Sequence, residues 1–247
     1  MRITERIHLV GSGSAGFDLT DELDCHVYLI DGADSWALVD AGAGRGSELI
    51  VEQIRATGVS TTRSGHLLLT HGHADHAGGT LAMQRAFPQL LAVAGEPADR
   101  WIATADTVGL SLDRATAAGV YPTDYRFPPG ATVSAVADGD VVELGDAYIV
   151  ALETPGHCDG HVCYLLEEPG RRTLFSGDCL FTNGRVSLQH LHDLRIDAYA
   201  GSIARLADIE IDTLLPGHHA ISLTGAGRHV RSAAAAFDSG LLPPSIA

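Results

Sequence analysis

The sequence predicts an α/β fold built around a mixed or parallel sheet, and three observations carry that prediction. Apolar runs of strand length alternate with segments of helical period through the N-terminal half. Glycine is frequent, at 28 of 247 residues, which suits tight turns and close backbone approaches rather than a bundle of long helices. A layout of strand, polar turn, strand and terminal aspartate occurs twice, ending first at Asp40 and again at Asp178. With no linker between them, the two stretches read as related halves of one domain covering residues 1–247.

Residues 27–30 and Trp36–Val39 are apolar and flank Asp31-Gly32-Ala33-Asp34, a turn composition, so a β-hairpin is expected with Asp40 at its end. Residues 47–57 are expected to be helical, with Leu49, Ile50 and Ile54 on one face, Ser47 as N-cap and Gly58 as the stop. Leu67, Leu68 and Leu69 form a short buried strand and residues 77–87 a helix. The turn between them carries THGHADHAGG, which sets His71, His73, Asp75 and His76 at a strand's carboxyl end. Residues 90–94 are the next strand, and 98–119 read as helical. The Pro-rich YPTDYRFPPG follows, in which Tyr121, Tyr125 and Phe127 either anchor a loop to the core or wall a substrate pocket; residues 96–130 form the candidate lid.

Turn signals at 137–140 and 144–146 divide residues 132–152 into short strands. After TPGHCDGH come strands at 162–166 and 173–175, and then Asp178. Residues 197–207 are expected to be helical with Asp197 as N-cap and Tyr199, Ile203 and Leu206 inward. A strand at 213–215 leads into Pro216-Gly217-His218-His219, and a last helix over 227–239 turns Val230 and Phe237 inward and stops at Gly240.

Composition narrows the chemistry. A formal charge of −15 argues against a nucleic-acid partner, whose affinity would come from clustered Lys and Arg. The four cysteines follow neither CxxC nor disulfide-framework spacing, so buried free thiols in a reducing compartment are expected. No stretch reads as a secretory signal or a membrane span; a soluble cytoplasmic protein with a small-molecule substrate and no membrane partner is expected, with oligomeric state left open.

One histidine on a turn would read as solvated, but four ligand-type side chains within six residues read as a metal site. His157 in PGHCDGH, Asp178 in SGD and His218 in PGHH add three more candidates at sharp turns. One zinc takes about four ligands, so seven candidates suggest two adjacent divalent ions with one shared carboxylate.

On these motifs the chain resembles the metallo-β-lactamase superfamily. HxHxDH is matched by His71, His73, Asp75 and His76, the later His, Asp and His by His157, Asp178 and His218, and the VDAG strand end by Asp40. The resemblance runs from about residue 25 to 220 and implies a four-layer αβ/βα sandwich. It further implies that His71, His73 and His157 hold one metal, that Asp75, His76 and His218 hold the other, and that Asp178 bridges. Asp40 would orient a ligand rather than bind metal. Zn2+ is the expected ion, with Fe and Mn also compatible.

The implied reaction is hydrolysis of an ester-like bond, a lactone, carboxylic ester or thioester, with Asp75 helping to move a proton to the leaving group. The alternatives are a mononuclear iron sulfur dioxygenase using His71, His157 and Asp178, and a non-enzymatic relative. His73 stands where the flavodiiron branch carries glutamate, and the chain ends too soon after His218 for a glyoxalase II. His190 and His192 are equally compatible with a pocket mouth and with plain surface. His8, His26, His66 and His229 are expected to be solvated or capped, and His161 and His219 to flank ligands or support them. Cys158 and Cys179 are expected to point away from the site, as neighbours of ligands on opposite strand faces do.

Overall fold

The computed structural model describes residues 1–189 and 191–246. Alternation of apolar side chains along the strands sorts them into two sheets that face each other. The first contains β1 (Ile7–Gly11), β2 (Val27–Asp31), β3 (Trp36–Val39), β4 (Gly65–Leu68), β5 (Leu90–Gly95) and β6 (Val133–Val136), side by side in that order. The pairs β1–β2 and β2–β3 are antiparallel, and the pairs from β3 to β6 are parallel. The second contains β7 (Val141–Glu143), β8 (Tyr148–Glu153), β9 (Val162–Glu168), β10 (Arg171–Gly177) and β11 (Thr213–Pro216), antiparallel except for the parallel β10–β11 pair.

Period-two patterning decides what each strand buries. On β2 and β3, Tyr28, Ile30 and Val39 turn inward against Ile149, Tyr164, Leu166 and Phe175 of the second sheet. Their neighbours Val27, Leu29, Trp36 and Leu38 turn outward. There they meet Ile50 and Ile54 of α1 (Ser47–Ala56), Met83 of α3 (Thr80–Ala86), which follows the single turn α2 (Ala74–Ala77), and Ile102 of α4 (Ala98–Thr104). A short α5 (Leu112–Ala117) follows α4. On the far side Cys163, Leu165 and Leu174 pack against Tyr199, Ile203 and Leu206 of α6 (Ile196–Ala207) and Val230 and Ala233 of α7 (Gly227–Asp238). The result is the expected four-layer αβ/βα sandwich. Each half contains a hairpin, an aspartate, a crossover helix and a parallel strand: β2–β3, Asp40, α1 and β4, then β9–β10, Asp178, α6 and β11.

Several local expectations need correction. Strand β1 has no counterpart among the predicted elements, because a five-residue edge strand is held by its pairing with β2 rather than by local pattern. The helix expected over 77–87 starts earlier and is split, so Asp75 and His76 lie in α2 rather than on a turn. The helix expected over 98–119 breaks where Ala105 and Ser111 adopt left-handed φ of 54° and 53° and Asp106 accepts hydrogen bonds from the amides of Val108 and Gly109. The strands over 132–152 divide between sheets, β6 closing the first and β7 opening the second. The N-caps are Gly46 and Arg195, without side-chain hydrogen bonds, so Ser47 and Asp197 do not cap. Among the described residues no helix is long and apolar enough to cross a membrane.

Candidate metal centre

The candidate ligands arrive from both halves at the carboxyl ends of β3, β4, β10 and β11. Asp40, just past β3, accepts hydrogen bonds from Thr70 N (2.7 Å), from Thr70 Oγ1 (2.9 Å to Oδ2) and from His76 Nδ1 (2.8 Å to Oδ2). Thr70 links β4 to His71, whose Nδ1 lies 3.0 Å from the Thr70 hydroxyl. His73 precedes α2, whose single turn presents Asp75 and His76 on neighbouring positions. His157 comes from the β8–β9 connection, Asp178 from the end of β10 and His218 from the turn after β11. Glycine is required before His218, since a Cβ on Gly217 would sit 2.6 Å from His76 Cε1 and 2.7 Å from Asp178 Oδ1.

The donor atoms converge as two sets. His73 Nδ1 lies 2.9 Å from His71 Nε2 and 3.1 Å from His157 Nε2. His218 Nε2 lies 3.3 Å from His76 Nε2 and 3.1 Å from Asp75 Oδ2. Asp178 spans them, with Oδ1 3.4 Å from His76 Nε2 and Oδ2 3.9 Å from His157 Nε2. Nitrogen ligands on one tetrahedral zinc stand roughly 3.3 Å apart, by geometry from metal–nitrogen bonds of about 2.0–2.1 Å, so this spacing fits a metal.

Hydrogen bonding orients the rings to match. His76 Nδ1–H donates to Asp40, His157 Nδ1–H to the Ser187 carbonyl at 3.2 Å, and His71 Nδ1–H to Thr70 Oγ1, which turns three Nε2 atoms inward. Burial would lower His76, but nearby Cys25, Asp75 and Asp40 outweigh it and raise it well above the usual range, so a metal at His76 Nε2 would displace a proton. Asp178 Oδ1 is buried with no hydrogen-bond donor, an arrangement that a cation would satisfy. Burial, reinforced by neighbouring histidines, depresses His71 well below the usual range and His73 to about 3; burial also lowers His157, so all three are neutral and ready to ligate. Burial would raise Asp75 and Asp178, but nearby His76 and His218 outweigh it and hold both as carboxylates.

A cleft of about 30 Å³ opens between His73, Asp75 and Asp178 on one side and Leu110, Val120 and Tyr121 on the other. Tyr121 donates to Asp75 Oδ1 at 2.6 Å, so this lid residue reaches the site. Tyr125 and Phe127 do not line the cleft, so of their two readings the anchoring one holds and the pocket-wall one does not. The Tyr125 hydroxyl donates to the Ala43 carbonyl at 2.7 Å, and Phe127 is buried in the outer core of the first sheet. His192 Nδ1 lies 2.9 Å from Ser111 Oγ and ties the 191–193 segment to the lid, whereas His190 lies outside the described residues.

Other histidines found definite partners. His161 stacks on His71 with ring centroids 5.1 Å apart and lies 2.9 Å from the Thr154 hydroxyl. His26 is buried rather than solvated, bonded to Ser12 Oγ and the His219 carbonyl. Cys179 faces the outer core as expected, but Cys158 does not point away: its Sγ joins the His71, His73 and His157 donors in one cluster. Thr70, which orients both Asp40 and His71, is not singled out by ligand-type chemistry, although its place between the strand and the first histidine is visible in the sequence.

The family model described as the metallo-beta-lactamase superfamily matches residues 20–218. An acyl-coenzyme A thioesterase of Bos taurus is 27% identical over 213 residues, covering 78% of this chain and 72% of that protein. An atrochrysone carboxyl ACP thioesterase of Aspergillus fumigatus is 26% identical over 197 residues, covering 79% of this chain and 51% of that protein. The chain thus spans about half the length of this fungal relative. Among solved structures, a subclass B3 metallo-beta-lactamase of Bradyrhizobium japonicum superposes with a TM-score of 0.71 at 23% identity, covering 97% of this chain and 91% of the other.

Proposed function

The chain belongs to the metallo-beta-lactamase superfamily, and from that footing we propose that it is a hydrolase that uses two divalent metal ions to cleave a thioester or related ester bond. One observation carries the dinuclear reading: donor atoms from both halves converge in two sets, with a single carboxylate, Asp178, reaching toward both. His71, His73 and His157 would hold the first ion, Asp75, His76 and His218 the second. Five imidazoles and two carboxylates suit zinc, with iron or manganese as compatible substitutes. Thioesters are favoured within the ester class because the acyl-coenzyme A and ACP thioesterases among the relatives act on them. Four buried free cysteines fit a reducing, cytoplasmic setting.

When bound, the ions supply Lewis acidity, lowering the pKa of a water from 15.7 toward about 7 and polarising an acyl carbonyl. The chain's own residues do the rest. Asp40 and the Ser187 carbonyl keep His76 and His157 in the ligating tautomer. Asp75, held on one oxygen by Tyr121 and near His218 on the other, is the carboxylate placed to pass a proton toward the leaving thiolate. Leu110, Val120 and Tyr121 exclude bulk water from the cleft. At about 30 Å³ the cleft holds little more than a water, so an acyl substrate requires the lid to move.

The test is metal analysis of the purified chain, paired with thiol release from an acyl-coenzyme A substrate, for wild type and His73→Ala. Two equivalents of zinc with thiol release are expected, and His73→Ala should lose metal and at least about a hundredfold in rate, the scale on which losing one catalytic group is felt, while keeping native circular dichroism. One iron per chain with oxygen uptake, or undiminished turnover by His73→Ala, would overturn the proposal.

A further inference from the structure

Cys158 follows a ligand in PGHCDGH, and on a strand it would face the opposite side from His157. The segment is not a strand. Residues 155–160 form turns between β8 and β9, where consecutive side chains can face one centre. Cys158 is 2% exposed, and its Sγ lies within 4.8 Å of the donor atoms of His71, His73 and His157. Among the described residues Sγ makes no hydrogen bond, so nothing in the protein competes for its lone pairs.

We propose that Cys158 is a fourth protein donor at the first metal position, turning a three-imidazole set into three imidazoles and one thiolate. This rests on the reading of His71, His73 and His157 as ligands. In a tetrahedral site with zinc–nitrogen bonds of about 2.0–2.1 Å and zinc–sulfur of about 2.3 Å, each nitrogen stands roughly 3.6 Å from the sulfur. The observed upper limit of 4.8 Å therefore leaves a movement of roughly 1 Å, within the reach of a cysteine χ1 adjustment. As the sulfur–metal bond forms, the S–H bond breaks and its proton leaves to solvent, so one unit of the ion's charge is neutralised inside a buried site.

Two consequences separate this set from one completed by Asp178 alone. A thiolate selects soft or borderline ions such as zinc and cobalt over magnesium and manganese. A position filled by four protein donors also resembles closed structural sites, with no place for water. Cys158 would then be a ligand of the resting site, and use of the first position in turnover would require the sulfur to take back a proton and give its place to a water.

The experiment is absorption spectroscopy of the full chain reconstituted with Co(II), wild type beside Cys158→Ser. Visible ligand-field bands report uptake by the histidine sets; a near-ultraviolet sulfur-to-cobalt charge-transfer band reports thiolate ligation. The expected result is visible bands in both proteins and complete loss of the near-ultraviolet band in Cys158→Ser. Visible bands without a sulfur band in wild type would overturn the proposal while leaving the metal reading intact. A sulfur band that survives in Cys158→Ser would also overturn it, naming Cys25, whose Sγ clusters with Asp40 and His76, as the donor. Failure of wild type to take up cobalt would overturn the metal reading itself. Should Cys158→Ser not fold, X-ray absorption on zinc-loaded Cys25→Ser decides: a sulfur shell at about 2.3 Å supports Cys158 as the donor, and its absence overturns the proposal.

Discussion

Asp40 holds a left-handed backbone, φ 62°, a conformation that costs a non-glycine residue about 1–2 kcal/mol. Three hydrogen bonds to its carboxylate, from Thr70 N, Thr70 Oγ1 and His76 Nδ1, offset that cost and turn His76 toward Asp75 and His218, the proposed second metal position. Asparagine preserves the shape but removes the charge and turns an N–H toward one of those donors. Asp40→Asn is therefore expected to weaken the second metal by about 10–100-fold, the usual effect of losing a partner behind a ligand, in a chelator competition that leaves the first metal unaffected. Equal affinity in both proteins would restrict Asp40 to holding the backbone. The place of Asp40 at a strand end was legible in the sequence because an aspartate ends a strand in each half, whereas the orienting role came from the family resemblance. Cys158 is buried as expected but faces the donor cluster, because strand alternation does not hold in a turn; of the two readings open for Tyr125 and Phe127 the structure takes the core-anchoring one, which an aromatic in a loop does not announce.

At the scale of elements, the candidate lid segment contains two short helices joined by a turn rather than one helix, and its contacts to the site are polar. Tyr121 reaches Asp75, and Ser111, at the start of α5, meets His192 at 2.9 Å across the cleft mouth. The sequence displayed the helical composition of this region but not its break, since the left-handed Ala105 and Ser111 owe their conformations to Asp106 and to packing rather than to glycine. Ser111→Ala removes one hydrogen bond of about 1 kcal/mol. Hydrogen exchange across residues 106–121 should then quicken by about fivefold, since 1.4 kcal/mol corresponds to a factor of ten in opening, with no change in the α6 and α7 amides. Exchange that stays at the wild-type rate would mean that the lid is held by Tyr121 and its apolar contacts alone.

At the scale of the molecule, the two sheets share an inner core of Tyr28, Tyr164, Leu166 and Phe175, and the proposed ligands are divided between them: His71, His73, Asp75 and His76 from the first half, His157, Asp178 and His218 from the second. Apolar runs bounded by turns marked most of the strands in the sequence and the family resemblance implied the two-sheet sandwich, whereas the assignment of β6 to the first sheet depended on a distant pairing with β5 that no local pattern encodes. Ions that bind only when both halves are folded together stabilise the native state by mass action, about 4 kcal/mol for a site held at a thousand times its dissociation constant. Chelation should therefore lower the midpoint of urea unfolding by at least that much free energy. Ile203→Val, a buried change on α6 in the outer layer, is expected to cost about 1 kcal/mol, and to cost it equally with and without chelator, because distant independent sites add. If chelation left the midpoint where it was while Ile203→Val still shifted it, the inner core alone would hold the halves together. The centre would then be an occupant of the interface rather than a part of what keeps it closed.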